Sequence, residues 1–355
     1  MNITFLIGNG FDIGLGMKSS FKDFFQVYLK EYELNHGKLD GLAEAIQQDK
    51  DTWSYFEKQL GNYTEKFTIK NINEFKNQVK DFEVKFMKYL IGLEQKLDFS
   101  DKERISKTMI NGINGFYLNT ILPVVSSNTI NSLYNKCKSE NHEINFINFN
   151  YTDCLENCLK MIPDGVLKKR NYQGNPRLDR VGKVVHVHGF KNNNPIMGLN
   201  DVSQISNQEL IKDKRFVKCI VKPIHNEAIK MNYDNEATNL IDQSIIICVY
   251  GMSLGETDKK WWQKLLKWLV ANENRQLVIF TYDDQFETSS QFDWIDKEDD
   301  IIENLASFSH SNSFDIEVLR NRIHIAIHKN IFEMNLTDKE EAVAASTKGS
   351  PVTIV

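Results

Sequence analysis

Apolar residues occur along the chain in two patterns, short continuous runs and longer stripes at helical spacing. The short runs that predict strands are Ile3–Ile7, Ile144–Phe149, Val184–Val187, Ile245–Tyr250, Leu277–Tyr282 and Ile323–Ile327. Continuous runs rich in β-branched residues are typical of strands buried on both faces, as in parallel sheets. Helical patterns follow most of these runs, and this alternation predicts a Rossmann-like, doubly wound α/β fold with a mostly parallel sheet.

More than 100 residues lie between the first two predicted strands, and nearly all of them have helical character. One apolar stripe repeats at spacings of three and four, at Phe75, Val79, Phe82, Phe86, Leu90, Leu93 and Leu97. A βαβ crossover needs only a few dozen residues, so residues 31–139 are predicted to form a helical insertion after the first strand. The predicted division is a discontinuous Rossmann-like domain over 1–30 and 140–334, that insertion, and a C-terminal tail over 335–355.

One basic segment and one histidine are predicted to be exposed and to take no part in a site. Lys168–Arg170 is predicted to be a solvated loop, and His324, which alternates with apolar residues in the last strand, is predicted to face solvent.

Composition narrows the class of protein. The 355 residues carry 43 Lys and Arg against 48 Asp and Glu, a net charge of −5, so no global basic field favours nucleic acid or anionic membranes. The five cysteines include no CxxC pair, which argues against a disulfide framework or a zinc ribbon. No signal-peptide pattern or bilayer-length apolar run is present. We therefore expect a cytoplasmic protein.

Four polar or glycine-rich clusters lie at the carboxyl ends of predicted strands: Gly8–Asp12, Asn150–Asp153, His186–Gly189 and Gly251–Asp258. Each has a plain alternative, such as a tight turn, a helix cap or core histidines. Parallel strands present their carboxyl ends at one sheet edge, where α/β proteins bind ligands. A single ligand pocket formed by all four clusters is therefore a simpler explanation than a separate structural role for each cluster.

The clusters differ in the chemistry that they suggest. Glycines before a helix allow close backbone approach to a phosphate, although the spacing GxGxxxG matches neither GxGxxG nor a Walker motif. Ser20 and Asp23 form a plausible capping box for the next helix. His186 and His188 could share a strand face as a site or as two metal ligands, but no carboxylate-rich motif completes a metal set, and no metal is expected.

These blocks resemble the AbiH family of bacteriophage abortive-infection proteins. The resemblance rests on LIGNGFDIGLGMKSSFKDF, FNYTDCLE, VVHVHG and YGMSLGETDKKWW, in the family's order. It implies antiviral defence that disables or kills the infected cell. The family resemblance does not by itself supply a reaction.

The same blocks more distantly resemble the NAD-binding core of sirtuins and of sirtuin-like domains in other phage-defence proteins. That resemblance implies NAD as the substrate, with Asn150 and His188 as catalytic residues and Asp153 supporting them. The residues expected to contact the nucleotide are Gly8, Asn9, Gly10, Asp12, Asp23, Phe24, Gly189, Gly251 and Ser253. The four-cysteine zinc module of sirtuins is absent, so bare NAD cleavage is expected rather than protein deacylation.

The predicted function is therefore a hydrolase that cleaves NAD to nicotinamide and ADP-ribose on infection. In this hypothesis Asn150 orients the ribose and water, His188 acts as base, and Asp153 holds the carboxamide or supports positive charge. The alternatives are a metal-dependent nuclease or phosphohydrolase using His186, His188 and Asp12, and a non-catalytic nucleotide sensor. The expected partners are a nucleotide, a phage-derived activator or defence partner, and further copies of the chain; no membrane partner is expected.

Overall fold

The protein is a mixed α/β structure. The computed structural model describes residues 1–37, 41–47, 53–116, 124–189, 195–255, 258–282, 291–308, 316–327, 330–332 and 334–337. The strands are β1 (Asn2–Ile7), β2 (His142–Asn148), β3 (Val166–Tyr172), β4 (Asn175–His186), β5 (Ile246–Tyr250), β6 (Gln276–Thr281) and β7 (Ile323–Ile327). All six strands predicted from the apolar runs are present, although β4 begins nine residues before its apolar run.

The seven strands form one sheet with the order β3-β4-β2-β1-β5-β6-β7. All neighbouring pairs except β3 and β4 are parallel, which confirms the prediction of a mostly parallel sheet. The central strand β1 pairs with β2 on one side and with β5 on the other. The carboxyl ends of β1, β2, β4, β5, β6 and β7 therefore lie along one edge of the sheet.

The prediction of a solvated loop at Lys168–Arg170 is wrong, because these residues belong to β3. β3 pairs with β4 in a hairpin whose two-residue turn, Gln173 and Gly174, has φ values of 50° and 81°. Such left-handed turns match the twist of paired strands. The strand could not be predicted from an apolar run, because one face of this edge strand is exposed to solvent and carries basic side chains.

The α-helices in the described part of the chain are α1 (Gly10–Gly14), α2 (Phe21–His36), α3 (Gly41–Gln47), α4 (Trp53–Tyr63), α5 (Ile72–Glu94), α6 (Lys102–Gly115), α7 (Val124–Lys136), α8 (Cys154–Leu159), α9 (Gln208–Ile211), α10 (Lys214–Ile220), α11 (Lys222–Ala228), α12 (Tyr233–Gln243), α13 (Lys259–Val270), α14 (Gln291–Ser307) and α15 (Ile316–Arg320). None of them is long and apolar enough to cross a membrane. The stripe predicted from Phe75 onward corresponds to the 23-residue helix α5.

Helices cover both faces of the sheet. On one face α6, α7 and α8 pack against β1, β2 and β5 through residues such as Met109, Ile130 and Leu155. On the other face α12, α13 and α14 pack against the same sheet through Leu240, Trp262 and others. Burial on both faces explains why the strand sequences are continuously apolar.

A third apolar cluster lies in a helical layer beside the carboxyl edge of the sheet. It joins α2, α3, α4 and α5 through stacked aromatic rings, with Phe56 and Phe82 only 4.5 Å apart between centroids. Residues from α10 and from the segment before α9 complete this cluster. The helical layer therefore includes chain segments from both sides of β2 in sequence.

Two predictions concern the end of the chain: an exposed His324 and a C-terminal tail over 335–355. His324 was predicted to face solvent, but it is 4% exposed and hydrogen-bonded to Gln276 Oε1 at 2.7 Å, so that prediction is wrong. Burial lowers the pKa of His324 to about 4.

The second residue of the predicted tail, Leu336, packs against the protein. It is 2% exposed and donates its N–H to Leu15 O. Residues 338–355 lie outside the described residues.

Candidate functional site

A cavity of about 1030 Å³ lies between the carboxyl edge of the sheet and the helical layer. Its volume is at the upper end of the range for small-molecule sites. Eight of the twelve predicted site residues line it together: Gly8, Asn9, Gly10, Asp12, Asn150, His188, Gly251 and Ser253. Residues from all four predicted clusters therefore line one cavity.

The two glycine loops of the cavity pack directly on each other. Gly8 donates its N–H to Tyr250 O at 2.9 Å, and Gly10 donates to Gly251 O at 2.9 Å. A Cβ on Gly8 would lie 2.4 Å from Gly251 O, and Gly251 itself has φ +69°. The glycines are therefore required by loop-to-loop contact, whatever ligand the cavity holds.

We expect Gly8→Ala to destabilise the protein by more than about 2 kcal/mol, because its methyl group meets a backbone oxygen that cannot move freely. Gly92→Ala is the matched control, since a Cβ there meets nothing within 4 Å in the helix α5. The free energy of unfolding of the Gly92→Ala control should rise by about 0.5–1 kcal/mol. Urea unfolding of both variants measures the difference, and an equal effect of the two substitutions would contradict the loop-contact account.

The segment after α1 fixes the first glycine loop but leaves two predicted residues outside the cavity. Asn9 exchanges two hydrogen bonds with Ser19, at 3.0 and 2.7 Å. Ser20 caps α2 by accepting from Asp23 N, as predicted, but the Asp23 carboxylate accepts from the Ser20 hydroxyl rather than from the Ser20 N–H of a capping box. Neither Asp23 nor Phe24 lines the cavity, and the Phe24 ring packs 4.9 Å from that of Phe86 in the helical layer.

Asn150 is held at three points. Its N–H donates to Asn148 Oδ1 at 3.0 Å, and its side-chain Nδ2 donates to Gly8 O at 3.2 Å. Its carbonyl oxygen accepts from His186 Nδ1 at 3.1 Å. The residue is 6% exposed, and it lines the cavity. It is therefore a fixed part of the cavity wall.

His186 lies behind the cavity rather than in its lining. Its Nε2 contacts Glu156 Oε1. Burial lowers the pKa of His186, but the hydrogen bond and charge of Glu156 outweigh burial, so the net shift is upward. His186 is thus engaged as a partner of Glu156. Among the described residues, no group of three or more His, Cys, Asp and Glu side chains could hold a metal ion.

Two further predicted residues also lie outside the cavity lining. Asp153 lies at the N-cap position of α8, but its side chain makes no capping hydrogen bond to that helix. Gly189 follows His188 with φ +68° and is buried. His188 is thus the residue of its cluster that lines the cavity.

His188 has surroundings that favour its neutral form. Its ring packs 5.7 Å from Phe149 and 6.0 Å from Tyr151, between centroids. Burial and the positive charge of Lys222 hold the pKa of His188 well below its usual value. At neutral pH this imidazole is therefore uncharged and able to accept a proton.

Asp12 is a buried carboxyl group in the cavity wall. Thr152 Oγ1 donates to its Oδ2 at 2.7 Å, while Oδ1 is buried with no hydrogen-bond partner among the described residues. Burial raises the pKa of Asp12 to about 7; the Thr152 hydrogen bond opposes the shift, and the charges of Glu94 and Glu156 add to it. The carboxyl therefore changes charge near neutral pH.

We expect Asp12→Asn to stabilise the protein at pH 8 but not near pH 4. Between about pH 4 and 7 the folded state holds a proton that the unfolded state releases, so stability falls as pH rises through this window. Above pH 7 the buried charge costs about 4 kcal/mol, the equivalent of about three pKa units, and asparagine avoids this cost. Urea unfolding of the parent and of Asp12→Asn at pH 4 and pH 8 checks this prediction. If the two proteins differ in free energy of unfolding by the same amount at both pH values, Asp12 is not the titrating group.

Sequence comparison matches residues 4–282 to the family described as bacteriophage abortive infection AbiH. The chain belongs to the AbiH family. The match begins in β1 and ends just after β6, so it covers the glycine loops, Asn150, His188 and the helical layer. Family membership gives the protein a role in abortive infection, a defence against bacteriophage. A search of curated proteins finds no match.

The structure of this AbiH protein adds charged residues to the cavity that sequence reasoning missed. Glu57 from α4 and Lys222 from α11 form a buried ion pair, and Asn200 Nδ2 donates to Glu57 Oε2 at 3.0 Å. Burial, with the charge of Glu57, raises the pKa of Asp258 to about 7. Asp258 belongs to the predicted cluster Gly251–Asp258, and it lines the cavity. The sequence signal for Lys222 is a lysine beside Pro223 at a helix start, which does not indicate a site.

Proposed function

We propose that the cavity binds NAD and cleaves it to nicotinamide and ADP-ribose during abortive infection. The observation that carries the proposal is the position of the cavity between the ends of β1 and β5. The chain places β2 and β4 on one side of β1, then returns to place β5, β6 and β7 on the other. In doubly wound sheets this reversal of strand order is the site where dinucleotides bind.

The proposal includes the fold relationship and the domain division predicted from sequence. A Rossmann-like, sirtuin-like core would span residues 1–30 and 140–334, with 31–139 inserted as the helical unit. Packing of α2–α5 into one aromatic cluster supports a helical layer apart from the sheet, although α10 also joins that layer and α6 and α7 pack on the sheet. This unit contributes Phe86 and Glu57 to the cavity, so it would form the wall opposite the glycine loops.

In the proposed reaction water adds to C1′ of the nicotinamide ribose as the glycosidic bond breaks. Nicotinamide leaves as a neutral base with the electron pair of that bond, and the water proton passes to His188. The products are nicotinamide and ADP-ribose, and His188 returns its proton to solvent. The lowered pKa of His188 keeps the imidazole in the neutral form that can accept a proton, while it also reduces the basicity of the ring.

Two cavity residues would stabilise the ribose as it acquires positive charge. Asn150 is fixed at three points, so it can hold ribose or water in one orientation without further ordering. We assign the charge-stabilising role to Asp12, because its carboxyl lines the cavity and Asp153 does not. An ionised carboxylate there would favour oxocarbenium character.

The test is nicotinamide release from NAD, followed by chromatography. Purified protein is incubated with NAD alone and with an extract of phage-infected cells, each with and without EDTA. The extract supplies any phage-derived activator that the reaction requires. Extract without the protein, and extract with His188→Ala, are the controls.

We expect release that requires the protein and His188 and that EDTA does not change. Failure to release nicotinamide in both preparations would contradict the proposal. Release that EDTA abolishes would instead support metal-dependent chemistry.

A further inference from the structure

Positive charge is concentrated on the hairpin at the edge of the sheet. We define residues 166–183 as the basic ribbon: it contains six Lys and Arg and one Asp, a net charge of +5. The whole chain carries −5, so the remaining residues carry −10. The net charge of this 18-residue segment is therefore opposite in sign to the net charge of the rest of the protein. Such charge asymmetry is typical of proteins that bind polyanions.

The one acidic residue of the ribbon is neutralised internally. Asp179 is 1% exposed and accepts hydrogen bonds from Arg170 Nε at 2.9 Å and Tyr134 Oη at 2.5 Å. Arg170 and Arg177 also donate to backbone carbonyl groups after α7. These contacts fix the ribbon on the body of the protein, and the carbonyl contacts leave the arginine charges in place.

The opposite face of the ribbon carries exposed cations. Lys169 pairs with Leu178 across the strands, so Lys169 and Arg180 lie on one face, and Lys183 is exposed further along β4. Arg180 makes a 3.3 Å hydrogen bond to the backbone oxygen of Asp164. The tip adds exposed amide side chains, at Asn171, Gln173 and Asn175.

Protection of a sheet edge does not account for all of this charge. Lysines on edge strands prevent pairing with other chains, and Lys169 of β3 and Lys183, which follows the last residue of β4 paired with β3, could serve that purpose. Arg180, however, lies where β4 is paired with both β3 and β2. Edge protection therefore does not explain the charge of Arg180.

We infer that the basic ribbon is a binding surface for double-stranded DNA, separate from the proposed nucleotide cavity. A two-stranded β-ribbon fits the major groove, lysine and arginine contact phosphates, and amide side chains can read base edges. No exposed large apolar side chain lies within the ribbon, whereas a membrane or a protein partner favours apolar anchors. The tip lies at the start of β4, and β4 ends at His186, beside the cavity.

The experiment measures binding of a labelled duplex of about 20 base pairs by fluorescence anisotropy. The full chain is titrated at about 50 mM and about 200 mM salt. The test variant is Lys169→Gln/Arg180→Gln/Lys183→Gln. The matched control is Lys70→Gln/Lys212→Gln/Lys214→Gln, which removes three exposed lysines of the helical layer and changes net charge equally. All six side chains are exposed, so both variants should keep the Tm of the parent.

We expect the ribbon variant to bind duplex DNA at least about tenfold more weakly and with a salt slope smaller by about 3, one unit per lost phosphate contact. The control variant should bind like the parent. The inference is overturned if the parent does not bind DNA at low salt, if both variants lose affinity equally, or if single-stranded RNA or phosphatidylserine vesicles bind more tightly than the duplex. NAD turnover enters none of these outcomes, so they are independent of the proposed function.

Discussion

His188→Ala is expected to lower the rate of nicotinamide release by about 10²–10⁴-fold, the usual contribution of a positioned general base. The loss should appear in kcat with a smaller change in KM, because the imidazole acts on the attacking water rather than on the bound nucleotide. Initial rates at a series of NAD concentrations separate the two constants.

The matched control is His225→Ala, because His225 lies outside the cavity lining and its ring bonds only to Lys218 O among the described contacts. The control should retain the rate of the parent. If His188→Ala retains its rate as well, with an unchanged Tm, His188 is not the base. Loss of activity together with a lower Tm would show that the imidazole is needed for folding instead.

Glu57→Ala is expected to destabilise the protein by about 3–5 kcal/mol, since it leaves the Lys222 ammonium group buried without its partner. Glu57 is 0% exposed and Lys222 is 4% exposed, so both charges are largely removed from water even though they line the cavity. The double variant Glu57→Gln/Lys222→Met should recover most of the loss, because it buries no charge. Urea unfolding measures all three free energies.

The control for this prediction is a surface ion pair. Asp81 and Lys85 are 3.1 Å apart on α5, and the Asp81 side chain is 49% exposed. Asp81→Ala should therefore cost no more than about 0.5 kcal/mol. A similar cost for Glu57→Ala would mean that the Glu57–Lys222 pair is hydrated and does not fix α4 against α11.

The sheet could be predicted because its strands are buried on both faces. Every residue of β5 is buried, and the apolar run Ile245–Tyr250 predicts it almost to the residue. β3 could not be predicted in the same way, since its exposed edge carries Lys169 and leaves only Leu167 fully buried. His324 was misread because an alternating pattern does not reveal that Gln276 on the neighbouring strand supplies a buried partner.

The site was predictable where it depends on strand ends and not where it depends on tertiary packing. Gly8 and Gly251 follow β1 and β5, so parallel pairing alone brings them to one edge. Glu57 and Lys222 are 165 residues apart and meet only because the helical layer folds over that edge. No local spacing connects such residues, and one sequence without its packing cannot indicate that they share a cavity.

The most direct test of the account is calorimetric binding of an uncleavable carbocyclic analogue of NAD to the full chain and to two tryptophan variants. Ser253→Trp places a large ring in the cavity from an exposed lining position, whereas Ser139→Trp places the same ring on the surface away from it. We predict that the parent and Ser139→Trp bind the analogue equally and that Ser253→Trp does not bind it. Equal binding by Ser253→Trp, or no binding by the parent, would contradict the assignment of this cavity as a site for NAD.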